Sequence, residues 1–380
     1  MKIIFAGSIG RLPVGGHAWI DMQYLAGLKA MGHDVYYFED CGEESWVYNW
    51  DTEELTTEIS YPAGYVRDCL EPLGLQNRWI YRAGEHSEGM NIENFREVCE
   101  KADLLVIRAV PLVVWREEYG WARRRCYIDA DPGFNQISLI KGNAPLAATL
   151  ERCETLFTIG QRIGAADCSI PTVGREWLKT VAPISLEQWE WAENTELATH
   201  FTTIMQWRGF HDVEYKGVSY GQKDKEFPKF INLPEYTPQK FRIALTGAPP
   251  EDLARRGWEV VPGWIASKTA QSYQDFVRDS RAEFGVAKHG YVAMRGGWFS
   301  DRSVCYLASG RPVLVEDTGL KDWLPIGEGV LTFSNTEEAL TGIETINADY
   351  EFHRRAARRF AEEYFSTEKV LPPLLAAAMS

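Results

Sequence analysis

A proton acceptor and a pair of glycines lie side by side near the N-terminus. His17 directly follows Gly15 and Gly16, and the three come after Lys2–Gly7, an apolar run with the composition of a strand. Glycine lacks a Cβ, so a ligand can approach the backbone closely at such a pair. A helix beginning there would add unpaired N–H groups and the positive end of its dipole. The stretch therefore predicts a ligand site in which His17 accepts a proton from a bound hydroxyl.

A second cluster of residues suited to chemistry follows another predicted strand, Glu283–Ala287. Positive side chains gather there around a helix that we expect to begin at Ser300 or Asp301, either of which is a good N-cap. Glycines, hydroxyls, cations and a helix N-terminus together bind anions, and ligands of open α/β sheets bind beyond the carboxyl ends of the strands. The set therefore predicts a diphosphate site. Its candidate residues are Lys288, His289, Gly290, Arg295, Ser300, Asp301, Arg302 and Ser303.

The composition argues against several classes of protein. The 380 residues carry a net charge of −14, which disfavours a nucleic-acid groove, since that needs clustered Lys and Arg. The seven cysteines form no Cys-x-x-Cys pair. We therefore expect free thiols in a reducing, cytoplasmic compartment, and neither a disulfide framework nor a zinc site. We also expect no signal peptide and no membrane span.

Strand-like and helix-like segments alternate through the N-terminal half. Alternation of this kind predicts a doubly wound α/β sheet. After the first strand and helix, the predicted strands are Val35–Glu39, Asp103–Ala109, Arg125–Asp129 and Thr155–Ile159, and the predicted helices are Tyr61–Leu73 and Asn91–Lys101.

The alternation resumes near residue 200 and predicts a second α/β domain. We place the first domain at residues 1–196, the second at 197–362 and a helical tail at 363–380, with helices over 349–364 and 370–378 that Pro372 and Pro373 break. The predicted strands are Thr202–Gln206, Phe241–Thr246, Glu283–Ala287, Pro312–Glu316 and Val330–Phe333, and the predicted helices are Ser272–Ser280, Asp301–Ala308 and Thr336–Ile346.

Both ends of the chain resemble the sugar-nucleotide-dependent glycosyltransferases of GT-B fold. The resemblance implies two Rossmann-like domains that face each other across a cleft, with C-terminal helices that cross back to the N-terminal domain. The chain is also similar to a bacterial group of glycosyltransferase-like proteins that has an Ile-Asp-x-Asp-Pro-Gly segment. The motifs that carry the resemblance are Pro13–His17, Leu25–Leu28, Gly32–Val35, Lys288–Gly290, Ser300–Ser303 and Gly310–Pro312.

The resemblance implies transfer of a sugar from a nucleoside-diphosphate sugar, UDP- or dTDP-linked, to a hydroxyl of a small-molecule or glycan acceptor. It gives His17 the role of general base and places Asp317, Thr318 and Gly319 against the sugar hydroxyls. We expect no metal and no cofactor besides this donor, and inversion at the anomeric carbon, because a single displacement needs no covalent intermediate. One position departs from the family, since Cys305 stands where a Glu usually binds the ribose.

Two features and the function itself admit alternatives. Asp129 and Asp131 resemble the metal-binding Asp-x-Asp of another glycosyltransferase fold, but capping of the turn before Pro132 is favoured. A place facing the cleft, in which Asp131 orients His17 or the acceptor, makes Asp131 the second catalytic candidate. Arg108 is either a cleft residue or a member of a core ion pair. The alternative functions are a sugar-nucleotide epimerase, a non-catalytic nucleotide-sugar-binding protein, and a DNA-base glycosyltransferase, against which the net charge argues.

Overall fold

Two largely parallel β-sheets organise the chain, one in each half. The computed structural model describes residues 1–109, 112–193, 198–209, 211–247 and 253–380. Within these ranges the predicted α/β architecture of two domains is confirmed, although the predicted boundary at residues 196 and 197 lies outside the described residues. None of the helices in these ranges is long and apolar enough to cross a bilayer.

The N-terminal half pairs ten strands with five α-helices in its described part. The strands are β1 (Lys2–Ala6), β2 (Asp34–Asp40), β3 (Val47–Asn49), β4 (Glu54–Thr56), β5 (Trp79–Ala83), β6 (His86–Gly89), β7 (Leu104–Arg108), β8 (Arg124–Asp129), β9 (Thr155–Thr158) and β10 (Leu178–Lys179). The helices are α1 (Gly15–Ala30), α2 (Ser60–Leu70), α3 (Ile92–Glu100), α4 (Phe134–Ile140) and α5 (Ala144–Glu151).

The C-terminal half contains the second sheet and the remaining helices. Its strands are β11 (His200–Gln206), β12 (Val213–Tyr215), β13 (Val218–Tyr220), β14 (Lys240–Thr246), β15 (Trp258–Pro262), β16 (Ala282–Gly285), β17 (Val313–Glu316) and β18 (Val330–Phe333). Its helices are α6 (Lys223–Glu226), α7 (Gly263–Ser267), α8 (Ala270–Arg278), α9 (His289–Met294), α10 (Asp301–Ala308), α11 (Thr336–Ala348), α12 (Tyr350–Phe360) and α13 (Thr367–Met379).

The two sheets share one doubly wound topology. The strand order is β10-β9-β8-β7-β1-β2-β5-β6 in the first sheet and β15-β14-β11-β16-β17-β18 in the second. Within these two sheets, all strand pairs are parallel except β5 with β6. Helices cover both faces, so a strand such as β7 is buried along its whole length. The strand order reverses between β1 and β7 and between β11 and β16, and ligands of such sheets bind at this reversal.

Helix α1 joins the two domains by packing against α8. The indole Nε1 of Trp19 on α1 donates a hydrogen bond of 2.7 Å to the carbonyl oxygen of Ala270 on α8. Tyr273 and Val277 of α8 belong to the same buried apolar cluster as Leu25 of α1. The hydrophobic core is therefore continuous across the domain interface.

The C-terminal helices cross back to the N-terminal domain, as predicted. Helix α12 packs on α10, and α13 packs on α1 and β8. The predicted break at Pro372 and Pro373 is wrong, because both lie inside α13 and the chain breaks before it, at Ser366. The prolines fall in the second turn, so they remove only two N–H donors, while Leu371 and Leu374 remain buried against the first domain.

Candidate functional site

His17 lies in the first turn of α1, next to the carboxyl end of β1. Its Nε2 is 2.6 Å from the hydroxyl of Ser8, and the Ser8 N–H donates a hydrogen bond of 2.9 Å to Asp21. Asp21 also pairs with Arg108, which ends β7, so the second alternative for Arg108, a core ion pair, is the observed one. The four residues form one connected network at the point where the strand order reverses.

Electrostatics keep the His17 imidazole neutral. Burial, together with the charges of Arg108 and Arg11, lowers the pKa of His17 to about 4, against the opposing charge of Asp21. A neutral ring has a lone pair available at physiological pH, so His17 can accept a proton there. A base with so low a pKa is a weak one, and it depends on geometry and on a polarised substrate for its effect.

The start of α10 in the second domain faces this network. Ser300 is the N-cap, as expected, and its hydroxyl accepts a hydrogen bond of 3.2 Å from the Arg302 N–H. Asp301 is the first residue of the helix. Burial alone would lower the pKa of Arg108, but the charge of Asp21 and, more weakly, that of Asp301 raise it. Asp301 therefore acts electrostatically across the domain interface on the residues around His17.

Three cations meet at the reversal point of the second sheet. Arg302 on α10 contacts Glu283 at 2.6 Å and the carbonyl oxygen of Ile204 at 3.0 Å. Lys223, at the start of α6, is buried, and the burial and the charges of Arg302 and Lys288 lower its pKa well below the ordinary value. No hydrogen bond or ion pair of the Lys223 ammonium occurs within the described part of the chain.

Several buried polar atoms around these cations have no hydrogen-bond partner among the residues that the structure describes. They are Nε2 of Gln222, Oε2 of Glu283 and Oγ of Ser303. Buried polar groups are normally hydrogen-bonded, and an exception needs an explanation such as a ligand or a water molecule. The open space beside Ser300, Arg302 and Ser303 is about 10 Å³, which is room for one water molecule. A larger ligand would therefore need the side chains or the domains to move apart.

Asp131 spans the cleft and does not contact His17. Its carboxylate lies 3.1 Å from Nζ of Lys288 and accepts a hydrogen bond from the hydroxyl of Tyr291, both in the second domain. Asp129 accepts hydrogen bonds from Gln136 and Thr158 of its own domain. The turn-forming role expected of Asp129 agrees with these bonds. Asp131, which follows β8 of the first domain, instead links that domain to Lys288 and Tyr291 of the second.

Other predicted binding residues support loops and domain packing. Nδ1 of His289 accepts from the Gly221 N–H, and Arg295 contacts Asp167 of the first domain. The Asp317 carboxylate accepts hydrogen bonds from the backbone N–H groups of Gly319 and Leu320. The Thr318 hydroxyl donates a hydrogen bond to the carbonyl oxygen of Trp298. A Cβ added to Gly15, Gly16 or Gly290 would collide with the opposite domain, at Thr269, Tyr273 and Phe134 respectively. None of these contacts involves Lys223, Lys288 or Arg302.

Asp301 and Glu283 are the acidic groups that act electrostatically on Cys305, which stands at the position of the missing ribose-binding Glu. Cys305 itself is buried in α10. Burial and the neighbouring Glu226 raise the pKa of Glu316, whose carboxyl accepts the Ala287 N–H at 3.1 Å. Glu316 therefore holds its proton at neutral pH and can donate a hydrogen bond. Among the described residues, no three His, Cys, Asp or Glu side chains are arranged to bind a metal ion.

Sequence reasoning missed Ser8. It placed the segment Tyr220–Asp224, which contains Lys223, near the cleft, but it gave Lys223 itself no role in binding. Lys223 follows the hairpin of β12 and β13, and only the neighbouring Gly221 and Gln222 marked the segment as a loop near a strand end. Ser8 carried no motif of its own, but it directly follows the first strand, where ligands bind in such sheets.

The chain matches no known protein family and no curated protein. Among solved structures it is similar over its whole length to an alpha-glucosyltransferase in complex with UDP and a 13-mer DNA (TM-score 0.61, 11% identity, 100% of this chain and 99% of that chain). It is also similar to HepE of Anabaena in complex with UDP and glucose (TM-score 0.56, 10% identity, 100% of both chains). Sucrose-phosphate synthase from Thermosynechococcus elongatus has a TM-score of 0.54 at 12% identity, over 99% of this chain and 98% of that chain.

These similarities define the fold of the chain. It is the GT-B fold, with two Rossmann-like domains whose strand reversals face each other. Similarity at such low sequence identity shows the fold and not the activity, so the function has to be argued from the residues of the site.

Proposed function

We propose that the protein is a glycosyltransferase that moves a sugar from a UDP- or dTDP-linked donor to an acceptor hydroxyl. The observation that carries the proposal is the cluster of buried Lys223 with partly buried Lys288 and Arg302 at the reversal point of the second sheet, beside polar atoms that have no partner among the described residues. A diphosphate would supply acceptor oxygens to Lys223 and would compete with the Asp131 carboxylate for Lys288. The fold neighbours that bind UDP support the same assignment.

The second domain would hold the donor. The diphosphate lies at the N-terminus of α10, where free N–H groups and the Ser303 hydroxyl add hydrogen bonds. As the bond between the anomeric carbon and the phosphate oxygen breaks, negative charge grows on the leaving diphosphate. Fixed cations and dipoles stabilise that charge more strongly in the transition state than in the bound donor. Because Lys223, Lys288 and Arg302 neutralise the leaving group, the proposal requires no metal.

The first domain would hold the acceptor. His17 takes the proton of the acceptor hydroxyl, whose oxygen attacks the anomeric carbon as the diphosphate departs. The acceptor hydroxyl takes the place at Nε2 that Ser8 Oγ occupies in the structure. A single displacement from the face opposite the leaving group inverts the configuration at the anomeric carbon.

Nucleotide binding and turnover test the two halves separately. UDP should raise the melting temperature of the wild type, because a ligand that binds only the folded state stabilises it. His17→Ala should keep this shift and lose about 100- to 10,000-fold in turnover of UDP-glucose with a panel of acceptors. Absence of a shift with UDP, dTDP and their sugars would contradict the donor half, and full turnover by the alanine variant would contradict the role of His17.

The same assay separates the alternatives named from the sequence. An epimerase converts the donor in the absence of any acceptor, and a binding protein shows the thermal shift without turnover. Some fold neighbours are complexes with DNA, whereas this chain has a net charge of −14, so we expect no binding to duplex DNA at physiological salt.

A further inference from the structure

A cavity of about 350 Å³ opens beside the His17 network at the carboxyl ends of β1 and β2. Ser8, Arg11 and Leu12 line it from the loop after β1, and Glu44 and Trp46 line it from the segment after β2. Its volume lies at the small end of ligand sites, which suits a molecule the size of a monosaccharide.

The cavity connects directly to the proton acceptor. Ser8 is one of its walls, and the same Ser8 hydroxyl is 2.6 Å from Nε2 of His17. A hydroxyl that displaces Ser8 from Nε2 would therefore belong to a molecule in this cavity. The cavity thus has the position that an acceptor must have.

Arg11 provides a positive charge that no ion pair neutralises among the described residues. Its backbone N–H donates to Glu39 at 2.9 Å, which fixes the loop, but its guanidinium has no hydrogen bond or ion pair within the described ranges. Glu39 is buried and accepts from Gly10 and Tyr37 as well. A guanidinium beside a cavity, with no protein carboxylate bound to it, matches a carboxylate or phosphate of a ligand.

Trp46 provides a flat apolar wall. Its side chain is 65% exposed, which is unusual for a residue of this type, and its Nε1 donates a hydrogen bond of 3.1 Å to Glu44. That bond orients the indole and uses one oxygen of the Glu44 carboxylate. The neighbouring Leu12 is 47% exposed. An oriented indole with a free face binds rings through their apolar faces.

We propose that this cavity binds the acceptor, and that the acceptor is a ring compound of monosaccharide size that carries an anionic group. Arg11 binds the anion, Trp46 packs against the ring, and a ring hydroxyl reaches Nε2 of His17. The inference rests on the proposed function, because it identifies the second substrate of the same reaction. The anionic group is a carboxylate, as in a sugar acid, or a phosphate, as in a phosphorylated sugar.

Calorimetric titration of the full chain, saturated with UDP, tests the proposal. The probes are glucuronate, glucose 6-phosphate and glucose as the neutral control. We expect at least one of the two anionic sugars to bind about tenfold or more tightly than glucose, since hydrogen bonds to charged groups have that strength. A preference for glucuronate identifies a carboxylate, and a preference for glucose 6-phosphate identifies a phosphate.

Two variants locate the interaction. Arg11→Gln should remove the preference for the anionic sugar, and Trp46→Ala should weaken all sugars, while both keep the affinity of the wild type for UDP. The matched control is Arg67→Gln, which should change nothing, because Arg67 is exposed on α2 and forms an ion pair with its neighbour Asp68. Equal affinity of the wild type for the three sugars, or a preference that survives in Arg11→Gln, would overturn the inference and leave the donor assignment intact. Failure of UDP itself to bind would instead contradict the proposed function.

Discussion

Replacing Lys223 by methionine is expected to weaken nucleotide binding without destabilising the fold. Lys223 is only 9% exposed, and its ammonium makes no hydrogen bond or ion pair in the part of the chain that the structure describes. A buried charge without a partner costs free energy, and methionine keeps the length of the side chain while it removes the charge. Among the described residues the substitution therefore loses no hydrogen bond or ion pair, and only the longer-range attraction of Glu283 and Glu316 is removed.

The substitution has one effect on UDP affinity and another on the pH dependence of stability. A hydrogen bond from a charged donor contributes about 1.5–3 kcal/mol, so its loss should weaken UDP binding by roughly 10- to 150-fold. Burial and the charge of Arg302 lower the pKa of Lys223 in the folded state. The unfolded chain then binds more protons than the folded one as the pH approaches the ordinary pKa of lysine. The free energy of unfolding of the wild type should consequently rise with pH relative to that of Lys223→Met.

Calorimetry with UDP and thermal unfolding between about pH 6 and pH 10 measure both quantities. Lys240→Gln is the control, because Lys240 is exposed at the opposite, amino end of the same sheet. An unchanged affinity for UDP in Lys223→Met would refute the placement of this lysine in the donor site. A loss of stability above about 1 kcal/mol at neutral pH would show that Lys223 has a structural partner, and it would refute the reasoning from its burial.

Three further predictions concern the base, the cleft and the C-terminal helix. Turnover should stay level from about pH 8 down to pH 5 and fall only toward pH 4, because His17 has a pKa of about 4 in the folded protein; a fall centred near pH 6.5 in the pH profile of kcat/KM would contradict this. Asp131→Asn should lower the free energy of unfolding by less than about 1 kcal/mol and tighten UDP binding, since the carboxylate of Asp131 would no longer compete for Lys288. Gly27→Ala should destabilise by about 1–3 kcal/mol, because its Cβ would lie 2.4 Å from the C-terminal helix; Gly64→Ala, which meets only a flexible side chain at 3.7 Å, should not.

Residues that follow a single strand were the ones that the sequence could place together. Lys288, Ser300 and Arg302 come from consecutive segments after β16, so their proximity follows from the linear order. Lys223 follows a different strand, β11, and the unpredicted hairpin of β12 and β13 intervenes. Only the sheet order, which places β11 beside β16, brings Lys223 to the same point. Short strands such as β3, β4 and β6 were also not predicted, because they lack a clear apolar alternation.

Glycine patterns predicted close approach correctly but did not identify the approaching group. The absence of a Cβ at Gly15 and Gly16 admits a ligand or another helix equally well. In the structure, Thr269 and Tyr273 of α8 occupy the space, so these glycines allow the two domains to pack closely. A local pattern encodes the available space, whereas the tertiary fold determines what fills it.

When the donor binds to this site, its diphosphate replaces a protein carboxylate as the partner of a cation. Arg302 is neutralised by Glu283 of its own domain, but the carboxylate near Lys288 belongs to Asp131 of the other domain. A diphosphate in the cluster competes with Asp131 for Lys288 and so weakens a contact that joins the domains. Asp131 directly precedes the turn into α4, which packs near Tyr291 through Phe134. The proposed donor site therefore implies that the cleft loosens on the Asp131 side when the nucleotide binds, while the packing of α1 on α8 keeps His17 facing α10.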